Sequence, residues 1–188
     1  MNSTEQLRVM QLNCYKLFLC NLEMNYIYKQ ATEQERNNYY SNPFLRFCMD
    51  SVHIQFCLLA SSLLAEHEGH SLMNYAIKNK EASNTAKAVY DLLNTSVFQD
   101  TWTKVKKLRD KCYAHKDKEV EYILKEVKLS QSERNFITVC LTNSMILLYK
   151  EQDNELASFH NQHPKIKSIL KVIQEWKSNL QNKHETSQ

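Results

Sequence analysis

Apolar residues fall at helical spacing along almost the whole chain. Leu7, Met10, Cys14, Leu17 and Phe18 share one face, and "LEMNYIYK" continues the pattern, which predicts a helix over residues 4–30. A polar stretch rich in Asn, Gln and Glu follows, and "SNPF" marks a turn whose Pro43 suits the first turn of a helix. From Phe44 to Glu66 the pattern is apolar nearly all round, which predicts a central, buried helix. Gly69 is placed to end it as a left-handed cap.

Two shorter helices are predicted over 71–79 and 83–94, the second amphipathic through Ala86, Val89, Leu92 and Leu93. "SVFQ" reads as a capping box in which Ser96 caps and Gln99 reaches back, opening a helix through "TWTKVKKLRDKCYAH". A weaker helical stretch, "EVEYILKEVKL", leads to a second box at Ser130 and Glu133 and a strongly apolar helix over 132–152. After the polar linker "DNELASFHNQH", Pro164 starts a final helix to about Leu180. No repeat, low-complexity segment or credible strand interrupts this order. The expected fold is all-α, an antiparallel helical bundle with additional flanking helices, forming a single domain over 1–182 with a disordered tail at 183–188.

Composition agrees with that reading. One glycine and two prolines among 188 residues leave few helix breakers. A chain of this size buries roughly 70% of the surface its unfolded form exposes, so a core without staples is expected. The 43% apolar and 24% charged fractions are those of a globular protein. The longest purely apolar runs ("FCLLA", "ILLY") fall short of the roughly 18 residues of a spanning helix. "MNSTEQLRVM" lacks the pattern of a signal peptide. A cytoplasmic protein without membrane contact is therefore expected, with Cys14, Cys20, Cys48, Cys57, Cys112 and Cys140 as buried thiols.

Charge changes the picture in one place. The net charge is +3, but Val97 to Lys118 carries seven basic residues against three acidic ones, which leaves about −1 for the rest. On the same helix Phe98, Trp102, Val105 and Cys112 make an apolar stripe whose missing step, 109, holds arginine. An arginine there must meet an anion or line a cleft, because its charge is costly to bury alone. His115 lies six residues on. On a straight helix the two side chains sit roughly 120° apart and about 9 Å along the axis, so they converge only if the helix breaks or a second copy supplies its own pair. A purely structural role is the plain alternative, since cations near a helix C-terminus are favoured by the dipole.

The string "RDKCYAHKD" resembles the signature of the HEPN superfamily: an arginine, a polar residue, and a histidine after four to six intervening residues. Five intervene here, and Asp110 fills the polar position. The fuller string, with Lys111, Ala114 and Asp117, looks like the abortive-infection (AbiU-type) branch. The motif covers about nine residues, and the helical order around it is compatible. The resemblance implies a metal-independent endoribonuclease of a defence or toxin–antitoxin system, acting as a homodimer without cofactor. Arg109 and His115 would be its catalytic pair, with Asp110 in support. Some toxin relatives carry a modifiable tyrosine two positions after the histidine. Asp117 stands there, which puts that form of antitoxin control in doubt. Lys104, Lys106, Lys107, Lys111, Lys116 and Lys118 would hold the RNA backbone or simply form a solvated helix face. Tyr113 could stack on a base or pack. The alternative within the same resemblance is a non-catalytic module that binds a protein partner or nucleotide.

Other histidines are less promising. His67 and His70 have metal-compatible spacing on a helix, but Gly69 falls between them and no third ligand is evident, so helix-end histidines are expected. His160 and His163 sit in the polar linker, and His53 is expected as a hydrogen-bonded core residue. No metal site is predicted.

Overall fold

The computed structural model describes residues 3–27, 32–113, 127 and 129–151. Within them the chain forms α1 (Ser3–Asn25), α2 (Glu33–Ser41), α3 (Pro43–Leu64), α4 (Leu72–Asn79), α5 (Asn84–Leu93), α6 (Ser96–Lys107), a π-helical turn (Leu108–Tyr113) and α7 (Gln131–Glu151). No strand occurs among the described residues, and the fold is all-α as the sequence predicts. The predicted helices over 119–129 and 164–180 lie outside them, apart from Val127 and Leu129.

Side-chain caps fix many of the boundaries. Asn42 accepts hydrogen bonds from the amides of Phe44 and Leu45, with Pro43 in the first turn of α3 as predicted. The Ser130–Glu133 capping box also forms: the Ser130 amide donates to Glu133 Oε2 at 2.7 Å and the Glu133 amide donates to Ser130 Oγ at 3.2 Å. The polar stretch before Pro43 holds α2, which opens on a box of the same kind. The Thr32 amide donates to Glu35 Oε2 at 2.7 Å and the Glu35 amide to Thr32 Oγ1 at 3.2 Å.

Two predicted caps are corrected. α6 takes Thr95 as its N-cap residue without a side-chain bond, because the Thr95 hydroxyl donates instead to Leu92 O. Gln99 donates to Leu93 O at 2.7 Å, so no box joins it to Ser96. Gly69 is not a left-handed cap: α3 already ends at Leu64, with Ala65 in extended backbone, and Gly69 has no positive φ. Ser71 does the capping work there. Its buried hydroxyl donates to Leu63 O at 2.9 Å and accepts from the Asn74 amide, closing α3 and opening α4 together.

α1 packs along α3 and α7, and α6 packs against the same two helices, closing a four-helix ring. Directions follow from side-chain partners. Ile27 clusters with Leu45, so α1 and α3 are antiparallel. Asn21 and Asn25 bond to Asn135 near the start of α7, while Gln11 bonds to Tyr149 near its end, so α7 also opposes α1. Phe98 faces Phe136 and Lys104 meets Glu133, which sets α6 antiparallel to α7. The result is an up-down-up-down bundle with α2 packed on α3 and the α4–α5 pair at the opposite end.

The core is made where the four stripes meet. Leu7, Met10, Cys14 and Leu17 of α1 join Phe56, Ala60 and Leu63 of α3, Phe98, Val105 and Leu108 on the α6 side, and Ile137, Leu141, Met145 and Leu148 of α7. Cys14, Cys57 and Cys140 are buried, whereas Cys20 and Cys48 are only half-buried, and these five form no disulfide. Burial pushes the Cys14 thiol up to about 12, so it packs as a small apolar group.

α3 departs from expectation. Most of its buried residues lie in its C-terminal half, but Phe44, Phe47 and Leu58 are 64%, 67% and 47% exposed. Although its purely apolar runs are short, it is long and apolar enough, by length and composition, to cross a membrane. All-round apolarity does not guarantee all-round burial, because a helix covers only the faces its neighbours reach.

Candidate functional site

The site begins where α6 changes geometry. From Leu108 to Tyr113 the chain winds as a π-helix, whose i→i+5 bonds admit an extra residue per turn and which recurs at functional sites. The buried positions run Phe98, Thr101, Val105 and Leu108, with Trp102 half-buried beside them. Leu108, not Arg109, therefore continues the apolar stripe, and Arg109 stands at its half-buried edge.

Arg109 and its chain neighbour Asp110 are bound to each other. Arg109 Nε donates to Asp110 Oδ1 at 2.5 Å, and Nη2 lies 2.5 Å from the same oxygen. Neighbouring side chains on a regular α-helix do not face one another, so this clasp is a product of the altered turn and two flexible side chains. Both side chains stay partly exposed, at 30% and 43%. Arg109 Nη1 and Asp110 Oδ2 have no partner among the described residues. The pair thus offers solvent one forked donor edge and one acceptor oxygen.

The basic residues divide into three groups. Lys104 is ion-paired with Glu133 of α7 at 2.5 Å. Lys106 and Lys107 are exposed and have no such bond among the described residues. Lys111 and Tyr113 lie on the π turn with their side chains outside the described set, and His115, Lys116 and Lys118 fall outside it altogether. The structure therefore joins Arg109 to Asp110 and separates Lys104 from the exposed lysines. The relation of Arg109 to His115 is not among the described geometry.

One buried cation was missed in the sequence. Arg134 of α7 is 3% exposed and donates from Nη1 to Leu129 O at 2.8 Å. It occupies the same stripe as Ile137, Leu141 and Leu148, a spacing that could have revealed it. His53, on the helix that packs against the π turn, feels this charge. Burial chiefly, and then Arg134, lowers its pKa, opposed by Asp50, so the imidazole is favoured in its neutral form. Its Nε2 is buried without a hydrogen-bond partner among the described residues, which corrects the expected satisfied core histidine.

His67 and His70 both lie beyond the end of α3, in the turns before Ser71. No group of three or more His, Cys, Asp or Glu is placed to hold a metal among the described residues. No protein-family model, curated protein or solved structure matches this chain.

Proposed function

We propose that the chain is a HEPN-like, metal-independent endoribonuclease of a defence or toxin–antitoxin system. The observation that supports this reading best is the Arg109–Asp110 clasp on a π turn, inside the very string that carries the resemblance. The turn follows α6 at the end of the bundle where α1 stops and α3 and α7 begin. Exposed Lys106 and Lys107 directly precede it and can track a phosphate backbone.

Cleaving RNA without a metal needs a base for the 2′-hydroxyl proton, an acid for the leaving 5′-oxygen and a cation for the charge gathering on phosphorus. Histidine titrates near neutrality and serves as either acid or base, the role assigned to His115. The Arg109 guanidinium stays charged and grips phosphate oxygens with two donors. Asp110 holds that guanidinium in a fixed orientation. A single chain supplies one motif histidine, so a homodimer that pools two motifs about a twofold axis completes the acid and the base. An antitoxin protein is the regulator such a system calls for. A cytoplasmic site of action suits an RNA substrate.

A second reading is a non-catalytic module that binds a protein partner or nucleotide. It is favoured by the internal pairing of Arg109 with Asp110, which already compensates the charge. Cleavage of RNA in excess EDTA separates the two. The nuclease reading expects 2′,3′-cyclic phosphate ends from wild type and none from His115→Ala or Arg109→Ala, both folded and associated as wild type. Equal cutting by the variants, or none by wild type, would leave the binding module.

A further inference from the structure

Trp102 stands on the same flank of α6 as two residues of the proposed site. Lys106 and Arg109 follow it by four and seven positions, the spacing that lines up one face of a helix. Lys104 lies on the other flank, where Glu133 of α7 holds it. Lys106 is exposed, and Trp102 and Arg109 are half-buried at the edge of the bundle.

The body of the Trp102 ring packs against the core cluster that holds Phe98 and Val105. Its outer part stays open. The indole N–H has no hydrogen-bond partner among the described residues, yet it is not sealed from water. A buried indole usually finds a partner for that group, so this one sits at a wet edge. Among the described residues no ring or cation covers it: Phe98 pairs with Phe136, and the cation over a ring is Lys80 on Tyr90.

We infer that Trp102 is a stacking platform for one unpaired base of the RNA, which makes the site selective for single strands. The inference rests on the nuclease reading above. A ring with an open edge beside phosphate-binding cations suits a single strand, because every base presents a π face. In a paired helix the bases stack on one another and leave no free face for a side chain, so duplex RNA gains nothing from the ring. Trp102 lies about 10 Å along the helix axis from Arg109. When the Arg109 fork holds the scissile phosphate, the stacked base therefore belongs to a neighbouring nucleotide. Lys106 stands between them and meets the intervening backbone. Trp102 selects the strand and takes no part in proton transfer.

The full chain with Trp176→Phe keeps Trp102 as its one tryptophan. A labelled oligouridylate with 2′-fluoro groups in place of the attacking hydroxyls reports binding by anisotropy, while Trp102 emission reports stacking. The strand should bind and quench the emission. An abasic strand of equal length and charge, and a duplex of that length, should bind without quenching. Trp102→Leu should weaken single-strand binding roughly 10-fold, the scale of one lost base stack, and leave duplex binding unchanged. Trp102→Phe should recover most of the loss, with both variants shown to fold as the parent. Binding of the oligouridylate without quenching, or equal quenching by the abasic strand, overturns the inference and leaves the nuclease reading standing. Equal loss of single-strand and duplex affinity in Trp102→Leu overturns it as well. No binding by anisotropy overturns the RNA reading itself, and the inference with it.

Discussion

Lys104 Nζ lies 2.5 Å from Glu133 Oε1, so the first lysine of the basic run is tied to α7. Glu133 also closes the Ser130 cap, and one carboxylate therefore joins two helices and starts one of them. Burial alone would raise its pKa, but the bonds from Lys104 and Ser130 outweigh that and hold it below the ordinary 4.5. A carboxylate lowered in this way stabilises the fold above that value, and the contribution is lost as the pH falls through the folded-state pKa. Lys104→Met should cost on the order of 1 kcal/mol at neutral pH, measured by urea unfolding, with a smaller difference from wild type at acid pH.

The same contact separates Lys104 from Lys106 and Lys107, and under the proposed function the difference should show in RNA binding. Replacing Lys106 and Lys107 together by Gln should weaken RNA affinity and lower the salt slope by roughly 1 to 2, while Lys104→Met leaves the slope unchanged. Binding titrations at three salt concentrations would decide. A slope equally reduced by Lys104→Met would contradict the partition.

Arg109→Lys keeps the charge but loses the planar fork that clasps Asp110 and would grip phosphate. Its stability should stay within about 1 kcal/mol of wild type, since the pair is partly exposed. RNA cleavage should fall roughly 100-fold, the scale of one lost charge-stabilising group. Thermal melting and initial rates measured on the same preparation check both halves.

His53 gives a pH dependence of definite sign. Its folded pKa lies below the ordinary 6.5 because of burial and Arg134, so the neutral form is the stabilising one. That contribution is complete above about 6.5 and is lost as the pH falls below it. Wild type should therefore lose stability as the pH falls below about 6.5, and His53→Leu should flatten that dependence in urea titrations. An unchanged slope in the variant would assign the loss to other groups.

Phe98 and Val97 are chain neighbours with opposite environments, fully buried against Phe136 and 62% exposed. Phe98→Ala should cost about 3–5 kcal/mol. Val97→Ala should change stability by less than about 0.5 kcal/mol. Urea midpoints of the two variants measure the contrast directly.

Much of the local structure was legible in the chain. The Ser130–Glu133 box and the Asn42–Pro43 start were readable because caps depend on residues three or four positions apart. The Thr32–Glu35 box carries the same signal, but its polar surroundings offer no apolar stripe to mark α2 as a helix. The stripe of α6 was readable up to Val105. The continuation to Leu108 instead of Arg109 was not, because positions three and four onward share one face until the turn geometry chooses between them.

What the sequence determined by itself was helix: scarce glycine and proline, apolar steps of three and four, and caps set by short-range bonds. It also located the basic run and the Arg109–Asp110 neighbours, since both are matters of order along the chain. The tertiary structure decided which apolar faces meet. It buried Phe56, Ala60 and Leu63 of α3 and left Phe44, Phe47 and Leu58 exposed, drew Lys104 to Glu133, and set Arg134 where its charge acts on His53. The physical reason is that periodicity gives a helix its faces but not its neighbours. Burial and ion pairing depend on residues far apart in the chain, which only the packed bundle brings together.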